Sequence, residues 1–430
     1  MKVERAKNPK VAFALVGIIL LALFAFQIGR ASQIATTNYH LETPLPLYDY
    51  YIGQYSNNTY FAINGSNWDN FWVSSNVSLI ANNIMGNLTD GGTIYWGVGD
   101  FAVSPQIYVA NNTRMVGAGD TTRLYLPAGQ PSVASQHRII YISNCENVTI
   151  ENFCIDGDYL NNDVTGLTYP GLVYVANSRH VTIKDCLIKN ARIYGVVVYS
   201  FSGSSGDVYD VNVFNCRVIE CKWNGITYYH STSSSYAAPH HCIVENCYVY
   251  GSCDVGLDTF MGGTTNTPHN IIFKDNTVIG DGVSGYGSTT DVWYPIRIEA
   301  GQGIEVVGNT VYNGKGSNTL GICDSVVYDV GRLLIAENIC YNASYAGIRI
   351  HAANHSQIVN NIIETSGRGI DIESHYNLIS GNTISSTYYG IVETASASSN
   401  IYALNDLVDC TNAASFGGSN STVTVNNGYP

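Results

Sequence analysis

The phrases LLIAEN at 333–338, QIVNN at 357–361, LISGN at 378–382 and YALN at 402–405 each end on an asparagine. Those residues, Asn338, Asn361, Asn382 and Asn405, stand 23, 21 and 23 positions apart. The same order (apolar residues, a polar pair, then Asn or Cys) recurs upstream. It closes on Phe153, Cys186, Cys216, Cys247, Asn276 and Asn309, at intervals of 29–33 residues. A second phrase, glycine followed by apolar-x-apolar, begins at Gly195, Gly225, Gly256, Gly347, Gly369 and Gly390. Pro295 replaces the glycine once, and GICDS from Gly321 breaks the alternation. Alternation with glycine at the turns is a strand signature, and no 3.6-residue period survives across the repeats. Three short strands and three turns fill a period of 21–23 residues, and longer periods need only extra loop. One such unit cannot cover its own apolar side chains, but units stacked about 4.8 Å apart build a continuous core. The expected fold is therefore all-β, a right-handed parallel β-helix of about 10–12 coils. The recurrent asparagines stack as an inward ladder, with Cys186, Cys216 and Cys247 filling the same slot.

Working outward, the 430 residues are 45% hydrophobic and only 12% charged. That excludes a disordered chain and a charged coiled coil. The net charge of −13 becomes −17 beyond residue 30, because Lys2, Arg5, Lys7, Lys10 and Arg30 flank an apolar run at 11–26. So acidic a surface repels a phosphate backbone, and no nucleic-acid partner is expected. The apolar run is read as a secretory signal peptide or an uncleaved membrane anchor; either places the rest of the chain outside, extracellular or at the cell surface. Sequons begin at Asn57, Asn64, Asn76, Asn87, Asn111, Asn147, Asn342, Asn354 and Asn420, making these the glycosylation candidates. The eleven cysteines fit no zinc spacing, and disulfides and buried free thiols both stay open. The organisation expected is a signal or anchor at 1–32, an irregular entry or stalk at 33–70, the β-helix at 71–410 and a C-terminal cap at 411–430.

Residues 70–410 resemble the pectin-lyase-like superfamily of β-helix proteins. Besides the repeats, the resemblance rests on a helix expected at 76–88, the glycine-rich DGGTIYWGVGDFAV at 90–103, and the turn Gly117-Ala118-Gly119. It implies a helix capping the open end and a site on the strand that carries the glycine phrase. The polygalacturonase set NTD, GDD, GHG and RIK is missing, as are the pectate-lyase calcium cluster and the DPH of alginate epimerases. The resemblance therefore implies a fold and leaves the enzyme family open.

Alternation names the outward residues of that strand. One column is Val197, Thr227, Asp258, Arg297, Cys323, Arg349, Asp371 and Val392. The next is Tyr199, Tyr229, Phe260, Glu299, Ser325, His351, Glu373 and Thr394. In a chain so poor in charge, this clustering of ionisable groups is the main functional signal. Asp371 and Glu373, two residues apart on a strand and so about 7 Å apart, suit two carboxylates flanking a glycosidic bond. Arg297 and Arg349 can grip a sugar carboxylate, with His351 as general base. Asp258, Glu299, Tyr199, Tyr229, Phe260 and Trp293 complete a substrate surface. The expected function is binding of polysaccharide or action on it, as a lyase or hydrolase of an acidic glycan. The alternative is a non-catalytic structural protein, adhesin or glycan-binding module whose charged columns are only surface ion pairs. No metal site is expected: His230, His240, His241, His355 and His375 read as loop residues. Asp156 and Asp158 mark a turn, or else a Ca²⁺ contact.

Overall fold

The computed structural model describes residues 48–424, apart from 56–57, 67–70, 131–136, 163–169, 201–206, 232–236, 253, 262–265, 281–293, 313–319, 325–329 and 365. The apolar run at 11–26, Asn57, Trp293 and Ser325 lie outside the described residues. Among the described residues no helix is long and apolar enough to cross a membrane.

The chain winds as a right-handed parallel β-helix. One face is a sheet of 12 strands running from Ile107–Tyr108 to Asn412–Phe416, one strand from each successive coil. The other two faces join in a network of 28 strands. Inward positions of the 12-stranded face superpose coil upon coil: Ile296, Ile322, Ile348, Ile370 and Ile391 share one register and are fully buried. The recurrent glycine has a steric cause. A Cβ on Gly369 would lie 2.5 Å from the carbonyl oxygen of Gly390 and 2.3 Å from Ile384 Cγ2. Neighbouring coils leave no room for a side chain there.

The asparagine ladder is present as expected. Nδ2 of Asn276, Asn309, Asn338, Asn361 and Asn382 donates to Oδ1 of the next member, at 2.9–3.0 Å. Each of those Oδ1 atoms also accepts the backbone N–H of the preceding member, and every Nδ2 reaches a carbonyl of the coil before. Cys216 is buried between Cys186 and Cys247 in the earlier coils. The ten cysteines described are all free thiols. Along two corners of each coil runs a column of left-handed residues. Asp185, Asn215, Asn246, Asp275, Gly308, Glu337, Asn360, Gly381 and Leu404 form one; His180, Asp210, His241, Asn270, Gly303, Arg332, His355 and Tyr376 form another. Asn, Asp and Gly tolerate this conformation, which accounts for their abundance. Leu404 is the misfit of its column, 68% exposed at φ 57°, at a cost on the order of 1 kcal/mol.

The entry differs from expectation. Where 33–70 reads as irregular, Tyr50–Gln54 and Tyr60–Asn64 are strands, and with Phe71–Ser74 they form an antiparallel meander. Its first strand pairs in parallel with Gly92–Trp96 of the first coil. The helix spans Val77–Asn87, with Asn76 as N-cap accepting from Leu79 N at 3.1 Å. It buries Val77, Ile80, Ala81 and Ile84 on one face. Coil stacking also continues past residue 410, through Asn412–Phe416 and Thr422–Thr424.

Candidate functional site

The register of the 12-stranded face aligns Val197, Thr227, Asp258, Arg297, Cys323, Arg349, Asp371 and Val392 as one column. Two ion clusters form on it, separated by the buried Cys323. In the first, Arg297 Nη2 lies 3.2 Å from Asp258 Oδ2, 2.8 Å from Glu299 Oε2 and 3.9 Å from Asp254. Asn224 Nδ2 donates to Asp258 Oδ2 at 2.9 Å. In the second, Arg349 Nη2 donates to Glu373 Oε1 at 2.6 Å, and Nε lies 3.8 Å from Asp371 Oδ2. Arg368 Nη1 holds Asp371 Oδ2 at 2.8 Å. The carboxylate of Asp324 accepts the backbone N–H groups of His351, Ala352 and Ala353, which fixes the turn carrying His351.

His351 sits between the charges. Its Nε2 lies 3.0 Å from Glu373 Oε2, and its Nδ1 lies 3.4 Å from Arg349 Nη2. A guanidinium only donates, so the network assigns the proton to Nε2 and leaves the Nδ1 lone pair beneath Arg349. His351, Arg349 and Glu373 keep 28%, 25% and 17% of their side chains exposed, whereas Asp371 keeps none. Asp371 and Glu373 therefore do not open together onto a substrate as a carboxylate pair. Alternation along a strand distinguishes outward from inward but says nothing about what lies on top. Burial raises the Asp371 carboxyl against the pull of Arg368, and among the described residues Oδ1 finds no partner.

Glu299 is the perturbed acid of the first cluster. Burial pushes its carboxyl up to about 7; Arg297 opposes the shift, while Asp258 and Asp254 add to it. The short approach of Arg297 lacks hydrogen-bond geometry at Glu299 Oε2, so burial wins. The folded protein holds this proton more tightly than the unfolded chain, whose value is near 4.5. That stabilisation is fully present below about 4.5 and is lost as the pH rises through about 7. Glu299→Gln is expected to match wild type near pH 5 and to exceed it near pH 8 by on the order of 2 kcal/mol. Denaturation midpoints at the two pH values check this.

The aromatic residues behave differently from expectation. Tyr199 and Tyr229 stack at 4.7 Å with planes 4° apart, and Tyr229 stacks on Phe260 at 4.9 Å. Tyr199 also meets Tyr174 at 5.8 Å with planes tilted by 36°, and Tyr174 stacks on Tyr141. Their faces are spent on one another, because residues in one column of a parallel solenoid lie face to face. Among the sequons, Asn76 is committed as the helix N-cap and Asn354 accepts from His375 N, while Asn87, Asn111, Asn147, Asn342 and Asn420 are exposed. Asn64 is half-buried, its Oδ1 accepting from Ser66. Asp156 is buried and bound by Arg123 and Lys189, and Asp158 turns the chain at φ 44°. Among the described residues no group of three or more His, Cys, Asp or Glu is placed to hold a metal ion. Sequence reasoning missed Arg368, Asp254, Asn224 and Asp324. Asn224 and Arg368 occupy the position just before the recurrent glycine, a third column that alternation from the glycine onward does not inspect.

Comparison with known proteins agrees with the fold. A family model described as "Periplasmic copper-binding protein (NosD)" matches residues 261–429. No curated protein matches the chain. Among solved structures, the A-module of a mannuronan C-5 epimerase from Azotobacter vinelandii is 16% identical, with TM-score 0.64, covering 83% of this chain and 96% of that one. An alpha-1,3-glucanase catalytic unit from Streptomyces thermodiastaticus is 14% identical, with TM-score 0.63, covering 83% and 66%. PfbA, a surface adhesin of Streptococcus pneumoniae, is 14% identical, with TM-score 0.56, covering 80% and 89%. At these identities the likeness establishes the architecture alone, a right-handed parallel β-helix.

Proposed function

We propose that this is an exported β-helix protein that lays a polysaccharide across the outer side of the 12-stranded face, with the His351–Glu373 pair as its proton-handling group. The observation that carries the reading is the half-buried trio of His351, Glu373 and Arg349, still open to solvent and held on a rigid strand face by buried partners. The same architecture serves a mannuronan epimerase, an alpha-1,3-glucanase and an adhesin, which favours a glycan ligand.

With Asp371 buried, proton abstraction from a sugar carbon fits better than acid–base hydrolysis by two carboxylates. Arg349 covers the one ring nitrogen able to accept a proton. A sugar carboxylate that draws Arg349 toward itself uncovers His351 Nδ1, and Glu373 on Nε2 then stabilises the imidazolium that forms. The carbon–hydrogen bond next to that carboxylate breaks and its proton passes to Nδ1; its electron pair forms the carbon–carbon double bond as the neighbouring carbon–oxygen bond breaks, and the departing glycosidic oxygen takes a proton from water. An unsaturated sugar results. The second reading, a non-catalytic glycan-binding surface protein, is favoured by the closure of Arg297, Arg349 and Arg368 into ion pairs.

Incubation with a panel of uronate-containing and neutral polysaccharides tests both, reading ultraviolet absorbance for unsaturated ends and reducing sugar for hydrolysis. The expected result is an unsaturated product, with turnover reduced at least about a hundredfold in His351→Ala and Glu373→Gln. Binding without turnover supports the second reading, and absence of both rejects the glycan assignment altogether.

A further inference from the structure

At the corner just past the 12-stranded face, the left-handed column runs His241, Asn270, Gly303, Arg332. Its side chains stand out from the corner like teeth, and at Gly303 one is missing. Asn270 and Arg332 thus face each other across two coil spacings, about 10 Å. The gap is a cavity of about 700 Å³, with Gly303 as its floor and His269 and Gln302 on its sides. His269, Gln302 and Gly331 are themselves in register on three successive coils, so the walls are fixed by strand pairing. A cavity of this size accommodates a sugar residue or two.

Its chemistry sets it apart from the charged face. Arg297, Arg349 and Arg368 are committed to carboxylates. Arg332 is exposed and enters no ion pair with any described residue. None of the described residues lining the cavity is acidic. Asp210, two coils back, is tied to His180 at 2.7 Å, and Glu305 is carried on the following strand. In a chain of net charge −13, an acid-free cavity with a free guanidinium is a local positive site. The amides of Asn270 and Gln302 add donors for ring hydroxyls.

We propose that this notch is an anion subsite that docks the carboxylate or sulfate of an acidic polysaccharide, with Arg332 as the charge partner. The assignment rests on the glycan reading above and deepens it by naming an anionic sugar. Gln302 follows Glu299 by three residues, so one extended glycan can pass from the charged face around the corner into the notch. Arg332 takes the anion because, unlike Arg297, Arg349 and Arg368, it has no carboxylate among the described residues to surrender.

Calorimetric titration with an oligogalacturonate and with a neutral gluco-oligosaccharide tests the proposal on wild type, Arg332→Gln and Gly303→Asn. The second variant puts a side chain into the gap on a residue that accepts the left-handed backbone; its Cβ would lie 2.9 Å from Asn270 Oδ1, so that exposed amide swings aside while Arg332 stays in place. Expected are binding of the oligogalacturonate that weakens with added salt, a loss of about tenfold or more in each variant, and thermal midpoints no lower than wild type. Neutral-sugar binding stays unchanged in Arg332→Gln. Undiminished oligogalacturonate affinity in both variants overturns the notch. Wild-type binding of the neutral sugar alone also overturns it while leaving the glycan reading intact, and binding of neither overturns both.

Discussion

Asn338→Ala is expected to cost about 3–5 kcal/mol, most of it from groups left stranded rather than from the amide itself. Asn338 is fully buried and makes four bonds. Its Nδ2 donates to Val306 O at 2.8 Å and to Asn361 Oδ1 at 2.9 Å, and its Oδ1 accepts Asn309 N at 2.9 Å and Asn309 Nδ2 at 3.0 Å. Alanine removes all four. It leaves a carbonyl and an N–H of the preceding coils without partners, where water has no access. Asn360→Gly, one residue from the ladder at a left-handed position, serves as control and is expected to be near neutral. Denaturant midpoints, with hydrogen exchange at the Asn309 amide, check the pair. A loss under about 1 kcal/mol in Asn338→Ala would show that water replaces the amide.

Arg349→Met is the second large effect. Methionine matches the bulk of the stem but takes the guanidinium from Glu373, at 2.6 Å, and from the fully buried Asp371. Removing one partner of a largely buried pair leaves an uncompensated charge, here worth about 2–4 kcal/mol, since Arg349 stays 25% exposed and Arg368 still serves Asp371. The double change Arg349→Met/Glu373→Leu is expected to recover most of that stability, because it removes both charges. On the proposed function, turnover is expected to be lost in both variants, whereas stability returns only in the double. Melting curves and product assays on the same preparations separate the two effects.

How far the sequence discloses the molecule follows from the same residues. The ladder from Asn276 to Asn405 is legible because a buried amide stack tolerates little substitution, so Asn stands out at a nearly regular interval. The Asp258–Arg297–Cys323–Arg349–Asp371 column is legible because glycine marks the strand start, where no Cβ fits, and pleating does the rest. A parallel row of Ser356, Asn377, Asn400 and Ser421, bonding N–H groups at the opposite corner, went unread. Its signal was a small polar residue two positions before the inward Ile358, Ile379 and Tyr402, but mixing Ser with Asn hides the repeat. Burial of Asp371 was not legible, since it depends on Arg349 and Arg368 folding over it. The antiparallel entry strands, YYIGQ, YFAIN and FWVS, were missed because they are short and no repeat announces them. The notch at Gly303 is an absence of a side chain, visible only once the corner residues are known to form a column.

The amides of Asn276 to Asn382 all point the same way, each hydrogen aimed toward the later coil. Head-to-tail dipoles polarise one another, so members in the middle of the row are held more firmly than those at its margins. Asn405 accepts from Asn382, and its Nδ2 donates to Ile379 O. The last described strand, Thr422–Thr424, is exposed throughout, so the structure is expected to begin fraying there, and protection against hydrogen exchange is expected to grade upward from that coil toward Asn309.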